Sequence, residues 1–410
     1  MLRPGAVLGV MILACACSGA NEADDVGDTA EPVSSFEVLR GGDLGHTPRS
    51  GSLAVRKAIR AGASRIADLQ ADTIGDNARN GLTDPDPDDG GWDFTLAPTA
   101  TSHTPATSPP NLFGATALAP WAAVHLGVSG TRELVTALDA GLGMQRNPDV
   151  DSAPDFVFGV LLAELADNPG FATLARQHYD AKRAAAGGAT GLGTFIRDGR
   201  HARNEDGLIG YDLGWLVLGA AALDAAFPGA GYRADADTYA RIVVDDLTSA
   251  SPRFDPQNGN EQFYITGLAW SLVSASRLGA GSTFRMLRDL LLQNQRSDGA
   301  WGADVGHPDP DLQSTAHAIQ TLALAGHEND RSRQAARRAA RWLIGQQASS
   351  GGWPDATHTE LPLVNADIVI GLFVSQTREG QEDGLAPEAA VRTDAPAASG
   401  AAPHAAPFPL

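Results

Sequence analysis

Gln-x-x-x-Gly-x-Trp occurs twice in this chain, each time at the end of an apolar helix-like run. The first copy is Gln295, Gly299 and Trp301 in LLLQNQRSDGAWG; the second is Gln347, Gly351 and Trp353 in RWLIGQQASSGGWPD. A fixed motif at a period of about fifty residues means one supersecondary unit repeated, which constrains the fold more than any single residue does.

The hydrophobic pattern around the motif extends the repeat. Amphipathic, charge-bearing segments fall at 52–74, 130–146, 170–186, 234–250, 281–295 and 331–347. Segments apolar almost all round fall at 112–127, 155–166, 211–227, 263–279, 312–325 and 363–375. No stretch sustains the period-two alternation of a half-buried strand. A helix apolar on every face is buried on every face, and an amphipathic one lies outside it. Strict alternation of the two kinds predicts an all-α fold, an (α/α)6 toroid spanning 51–376, with loops before the inner helices forming the mouth of a central cavity. Small residues on the inner segments, Gly114, Gly159, Gly214, Gly219 and Gly267, suit the close packing of a ring. A helical bundle or α-solenoid is the competing architecture.

The two motif units, with DLQSTAHAIQTLALAG and LVNADIVIGLF after them, resemble the repeats of squalene–hopene cyclases and protein prenyltransferases. Leu69-Gln70 followed by Gly90-Gly91-Trp92 resembles an earlier unit carrying an insertion. The resemblance implies a structural role for Gln295, Trp301, Gln347 and Trp353, tying each outer helix end to the following turn. It carries little of the family's chemistry. The string Asp86-Pro87-Asp88-Asp89 spells the proton-donating motif of class II terpenoid cyclases, but it precedes the first inner segment. The zinc site of prenyltransferases and the thioester of complement-like toroids both need a cysteine in the domain, and both cysteines of the chain, Cys15 and Cys17, lie near its start.

Residues 1–17 read as a bacterial export signal, with Arg3 ahead of a short apolar core. Ile12-Leu13-Ala14-Cys15 resembles a lipobox, so Cys15 or Cys17 is the expected lipidation site, and the residue after either cysteine resembles outer-membrane sorting. Residues 18–50 read as an acidic tether and 377–410 as an Ala/Pro-rich disordered tail. The expected location is the cell envelope, with the membrane engaged through lipid. A formal charge of −19 argues against nucleic acid as a partner.

Function is less constrained. Polar residues at the mouth ends of inner segments are the candidates: Asp212, His317 and Asp367 for catalysis, and Tyr211, Tyr264, Asp311, Gln313 and Asn365 for ligand binding. Asp155 shares that position, and Trp121, Trp215 and Trp270 lie on inner segments as stacking or packing residues. Asp212 and Asp367 open buried segments, where an aspartate also serves as a helix cap. Asp84, Asp86 and Asp88 alternate carboxylates in a way that suits calcium, though no cofactor is required. The run Arg197–Asp206 reads as a long mixed-charge loop. These features fit a toroid lipoprotein that binds a ligand or partner, a small apolar molecule or a polysaccharide, in its cavity or on its rim. The alternatives are an extracytoplasmic polysaccharide lyase or glycoside hydrolase, and a terpenoid-cyclase-like enzyme.

Overall fold

A computed structural model describes residues 53–68, 153–325, 330–355 and 360–377, all within one compact unit. In chain order the helices are α1 (Leu53–Asp68), α2 (Ala153–Ala166), α3 (Gly170–Ala185), α4 (Ala189–Ala202), α5 (Gly207–Ala226), α6 (Tyr232–Leu247), α7 (Tyr264–Arg277), α8 (Gly281–Gln293), α9 (Leu312–Leu324), α10 (Asp330–Gln346) and α11 (Pro362–Thr377). Among the described residues there is no strand, only one isolated bridge between Trp301 and Asp311.

The helices form two layers of α/α-toroid type. Helices α2, α5, α7, α9 and α11 pack in that order to make the inner layer. Outside them, α3 packs on α2, α6 on α5, α8 on α7, α10 on α9, and α1 on α11. The sequence pattern dictates this division. Helix α5 buries residues on every face, including Leu208, Leu213, Trp215 and Leu218. It is long and apolar enough to cross a membrane, yet it is largely buried inside the protein. Helix α8 buries only Thr283, Leu287 and Leu291, a stripe at i, i+4 and i+8. Inner helices approach closely through small residues: a β-carbon on Gly214 would lie 2.8 Å from the Trp270 ring, and one on Gly267 would lie 3.1 Å from the Gly207 Cα. The segments 112–127 and 130–146, with Trp121, lie outside the described residues.

The repeated motif explains how one outer helix is fastened to the next. Gln295 Nε2 donates to Gly299 O (2.9 Å) and to Ala335 O in α10 (2.9 Å). Gln347 Nε2 donates to Gly351 O (2.8 Å) and to Ala58 O in α1 (2.9 Å). Gly299 and Gly351 have φ of +98° and +93°, and a β-carbon on either would meet neighbouring backbone, Arg338 C at 2.8 Å or Ala61 O at 2.5 Å. Arg338 follows Ala335 by the same three residues that separate Ala61 from Ala58, so both units dock in one register. Each indole is buried and donates to a carbonyl of its own outer helix, Trp301 to Leu291 O and Trp353 to Leu343 O, both at 2.7 Å. The Trp301 amide donates to Thr315 Oγ1 and the Trp353 amide to Asn365 Oδ1.

Helix α1, near the start of the chain, therefore occupies the outer position that follows α10. Arg65 seals it there with a buried ion pair: its Nη2 lies 2.6 Å from Glu360 Oε2, and Asn365 Nδ2 donates to the other carboxylate oxygen at 2.6 Å.

One expectation is corrected. Arg197–Asp206 is not a long loop, because α4 runs through Ala202 and only four residues separate it from α5. Leu192, Ile196 and Arg200 recur at i, i+4 and i+8 and are buried, while Asp198 and His201 point outward. Interspersed glycines and dense charge hid the period. The charges pair among themselves, Arg197 with Asp198, Arg203 with Glu205 and His201 with Asp206.

Replacing Gly299 or Gly351 by alanine should destabilise the fold by a few kcal/mol, from positive-φ strain and the backbone contact together. Trp301→Ala and Trp353→Ala should each cost about 3–5 kcal/mol. Urea denaturation of the four variants checks both statements; unchanged midpoints would contradict the fastening role.

Candidate functional site

Four inner helices bring polar and aromatic side chains to one place. On α9, Gln313, His317 and Gln320 fall at i, i+4 and i+7, one face of the helix. On α7, Thr266, Trp270 and Ser274 fall at i, i+4 and i+8, and on α5, Tyr211 and Trp215 at i and i+4. Helix α11 contributes Asp367. His317 sits at the centre, 2% exposed. Its Nδ1 is 3.1 Å from Thr266 Oγ1 and its Nε2 is 3.2 Å from Asp367 Oδ2. The imidazole thus bridges three adjacent inner helices. A carboxylate only accepts, so Nε2 carries a proton toward Asp367, and the Thr266 hydroxyl is placed to donate to Nδ1.

Asp367, fully buried, is surrounded by donors. Its Oδ2 also accepts from Gln313 Nε2 at 3.2 Å, and its main-chain oxygen accepts from Gln320 Nε2 at 2.7 Å. Above this pair lies an aromatic wall. The Tyr211 ring is 5.2 Å from His317, centre to centre, and meets Trp270 edge-on at 5.4 Å. Trp270 also meets His317 edge-on at 6.0 Å, and Trp215 lies 4.9 Å from Trp270. Tyr211 and Gln313 are half-buried, and the rest of the cluster is buried.

The deeper layer contains unpaired polar atoms. Among the described residues, Trp215 Nε1, Trp270 Nε1, Ser274 Oγ and Gln320 Oε1 are buried without a hydrogen-bond partner, as is Ser271 Oγ on the neighbouring face of α7. Buried polar atoms are paired in the great majority of cases, so a cluster of orphans in one layer calls for a physical reason.

The cluster thus unites Tyr211, Gln313, His317 and Asp367 of the residues singled out from the sequence. The others have different partners. Asp212 is ion-paired with Arg200 of α4, Oδ2 to Nε at 2.6 Å, and Glu205 lies on the same guanidinium at 2.8 Å. Neither Asp212 nor Asp367 caps a helix, since each sits in the second turn; the cap is Asp311, which accepts from Ser314 N at 2.6 Å. The Tyr264 hydroxyl donates to Pro256 O, and Asn365 is engaged by Trp353 and Glu360. Asp84, Asp86, Asp88, Cys15 and Cys17 lie outside the described residues, and the Asp155 side chain is likewise not described. Among the described residues no group of three or more metal-ligating side chains comes together.

Sequence reasoning missed Thr266 and Gln320 as members of the cluster. Both carried a signal, the i+4 and i+3 steps to Trp270 and from His317 along helices already recognised. Arg200 and Arg65 left no local signal, because their carboxylate partners lie on other elements.

The chemistry open to the cluster is limited by its hydrogen bonds. An olefin-protonating acid presents an O–H to its substrate, whereas Asp367 accepts from protein donors. A glycosidase uses two carboxylates about 5–10 Å apart; among the described residues this cluster contributes one, Asp367, set beside an aromatic wall.

No known family model matches the chain. It is similar to a copalyl diphosphate synthase of Streptomyces cyslabdanicus, 40% identical over 145 residues that make up 30% of this chain and 26% of that protein. It is also similar to a terpentedienyl-diphosphate synthase of Kitasatospora griseola, 31% identical over 93 residues, 23% of this chain and 18% of that protein. The chain thus spans about a quarter or less of these relatives' length. Among solved structures it resembles a possible member of the GH105 family from Salmonella enterica, with a TM-score of 0.48 and 13% identity over 78% of this chain and 94% of that one. It also resembles a type II terpene cyclase from Scytonema, with a TM-score of 0.45 and 16% identity over 79% and 97%.

Near the start of α7 lies a carboxyl of unusual character. Burial pushes Glu261 up to about 7, with the charges of Asp206 and Asp255 adding to the rise and hydrogen bonds from the Asp255 amide and Asn258 opposing it. The folded chain therefore holds this proton more tightly than the unfolded chain, whose carboxyl titrates near the ordinary 4.5. Stability from this group is present at low pH and is lost as pH rises from the unfolded value through about 7. Glu261→Gln should flatten that decline and leave the variant more stable than the parent above neutrality. Urea midpoints between about pH 5 and pH 8 test this; a parental stability that rises across the window through this residue would contradict it.

Proposed function

We propose that the inner-layer cluster is a binding site for a small molecule with an apolar body and an oxygen function. The observation that carries this reading is the orphaned layer: among the described residues Trp215 Nε1 and Trp270 Nε1 are buried donors with no acceptor, and the Ser274 hydroxyl, one turn along α7 from Trp270, and the Gln320 carbonyl on α9 are likewise unpaired. Leaving such donors unsatisfied costs about 1–3 kcal/mol each. A hydroxyl, ether or carbonyl oxygen entering past Tyr211 and Gln313 would relieve that cost, and the indole faces would take the apolar part. The His317–Asp367 pair, tied to Thr266, fixes the three helices that frame the site.

A second reading is isoprenoid cyclisation, favoured by the names of the two curated relatives. The proton would come from Asp86, Asp88 or Asp89 rather than from Asp367, whose oxygens are committed to donors. Residues 1–17 are read with either function as an export signal, with Cys15 or Cys17 acylated and the chain held at the outer membrane.

Titration of tryptophan fluorescence with farnesol, geranylgeraniol and cellobiose separates these readings. The prenyl alcohols should quench saturably, cellobiose should not, and Trp270→Phe, which removes the N–H together with part of the apolar ring, should weaken binding at least about tenfold. No saturable change with either alcohol would end the binding proposal, and conversion of an isoprenoid diphosphate that requires Asp88 would establish the second reading. The lipid anchor is tested separately with a palmitate analogue in cells: label should disappear when Cys15 and Cys17 are both replaced, and an unlabelled parent would refute acylation.

A further inference from the structure

A cleft of about 440 Å³ opens between the outer helices, remote in its lining from the inner cluster. Arg176, Asp180 and Arg183 of α3 line it, with Gly188 from the turn after α3 and Ala230 and Tyr232 from the entry to α6. The three α3 residues stand at i, i+4 and i+7, so one helix face presents them together.

Both arginines are held by their inner edges. The Arg176 guanidinium lies over the Phe227 ring at 4.8 Å, and its Nε donates to the Tyr232 hydroxyl at 2.9 Å. Tyr232, 2% exposed, in turn donates to Asp180 at 3.0 Å. Arg183 Nε lies 3.0 Å from Asp235, a buried carboxylate that accepts from the Tyr179 hydroxyl at 3.0 Å. The terminal nitrogens of Arg176 and Arg183 carry no hydrogen bond among the described residues. The Arg176 guanidinium, fixed by stacking and a hydrogen bond, loses little entropy on binding an oxyanion bidentately, and Arg183, at ion-pair distance from Asp235 without a hydrogen bond to it, brings a second fork to the same cleft. Two guanidinium groups meet two carboxylates here, Asp180 in the lining and Asp235 beside Arg183, so an oxyanion would be held by directed hydrogen bonds rather than by net local charge. The volume exceeds that of a bare anion and leaves room for a small molecule behind it.

We infer that this cleft binds a small molecule bearing an oxyanion, phosphate or carboxylate, through the terminal nitrogens of Arg176 and Arg183.

The test is calorimetric titration of the full chain with inorganic phosphate and, separately, with galacturonate, at constant ionic strength. Saturable binding of phosphate alone identifies a phosphorylated ligand, binding of galacturonate alone a sugar acid, and binding of both a general oxyanion site; each supports the inference. Arg176→Lys and Arg183→Lys keep the charge and the ion pairs but remove the fork. Each should weaken binding about tenfold, with melting temperature near that of the parent. Arg241→Lys, on the exposed side of α6, serves as the control that leaves binding unchanged. Absence of saturable binding by either probe in the parent chain overturns the inference, as does binding that is unaltered in both lysine variants.

Discussion

The architecture rests on one hydrogen bond made twice. A glutamine just beyond an outer helix donates to a carbonyl in the second turn of the next outer helix, and a glycine beside it lets the two backbones touch. Helical carbonyls are already satisfied within their own helix, so the amide uses the second lone pair and leaves helical pairing intact. The contact sets distance and register at once, because only one carbonyl along the neighbour lies within reach when the glycine is seated. Its second copy lands on α1, near the other end of the sequence. Among the described residues the last outer helix thereby docks against the first, and Arg65 and Glu360 complete the junction as a buried pair. A buried ion pair adds little net stability over a well-packed apolar one, but breaking it leaves a lone charge in the core. Its effect is to make that docking specific.

The same logic runs through the inner layer, with different donors. Thr266, His317 and Asp367 link α7, α9 and α11 where apolar contact alone would let the helices slide. Leucine and alanine surfaces interdigitate in more than one register; a histidine with a partner on each side does so in one. The fixed frame has a consequence for the aromatic residues beside it. Trp270 is wedged against Gly214 and Trp215, so its indole cannot rotate to find an acceptor elsewhere. Rigidity there and unsatisfied donors there are two faces of one arrangement.

Much of this was legible in the residues. The all-α class and the division into inner and outer helices followed from which segments are apolar on every side, as in α5 and α9, and which on one side, as in α8. The structural use of Gln295, Trp301, Gln347 and Trp353 was implied by the resemblance of the repeated motif to the cyclase and prenyltransferase repeats. What was not legible is pairing across long sequence separations. Asn365 and Tyr264 stand in the first turns of inner helices, as Gln313 does, yet one supports the Trp353 turn and the other a neighbouring loop. Asp212 occupies the same helical position as Asp367 and meets Arg200 instead of a histidine. Position on a helix fixes the direction of a side chain, whereas the partner waiting there is set by an element that sequence spacing does not locate. The failure at α4 is of another kind: its buried stripe was present, and glycine and charge masked it.

The two candidate sites differ in a way that follows from the layers they occupy. Inner helices are buried over most of their surface, so most polar atoms placed on them pair with one another or stay orphaned, and a ligand there is recognised by few hydrogen bonds of high value. Outer helices carry charges that water already satisfies, so a site among them needs donors held in place against solvent. Arg176 meets that need through Phe227 and Tyr232, and Arg183 through Asp235. Occupancy of the outer cleft would therefore respond to salt, and occupancy of the inner cluster would not. That difference lets the two sites be read independently in one protein: a ligand effect that survives high salt belongs to the ring interior, and one that vanishes belongs to the arginine pair.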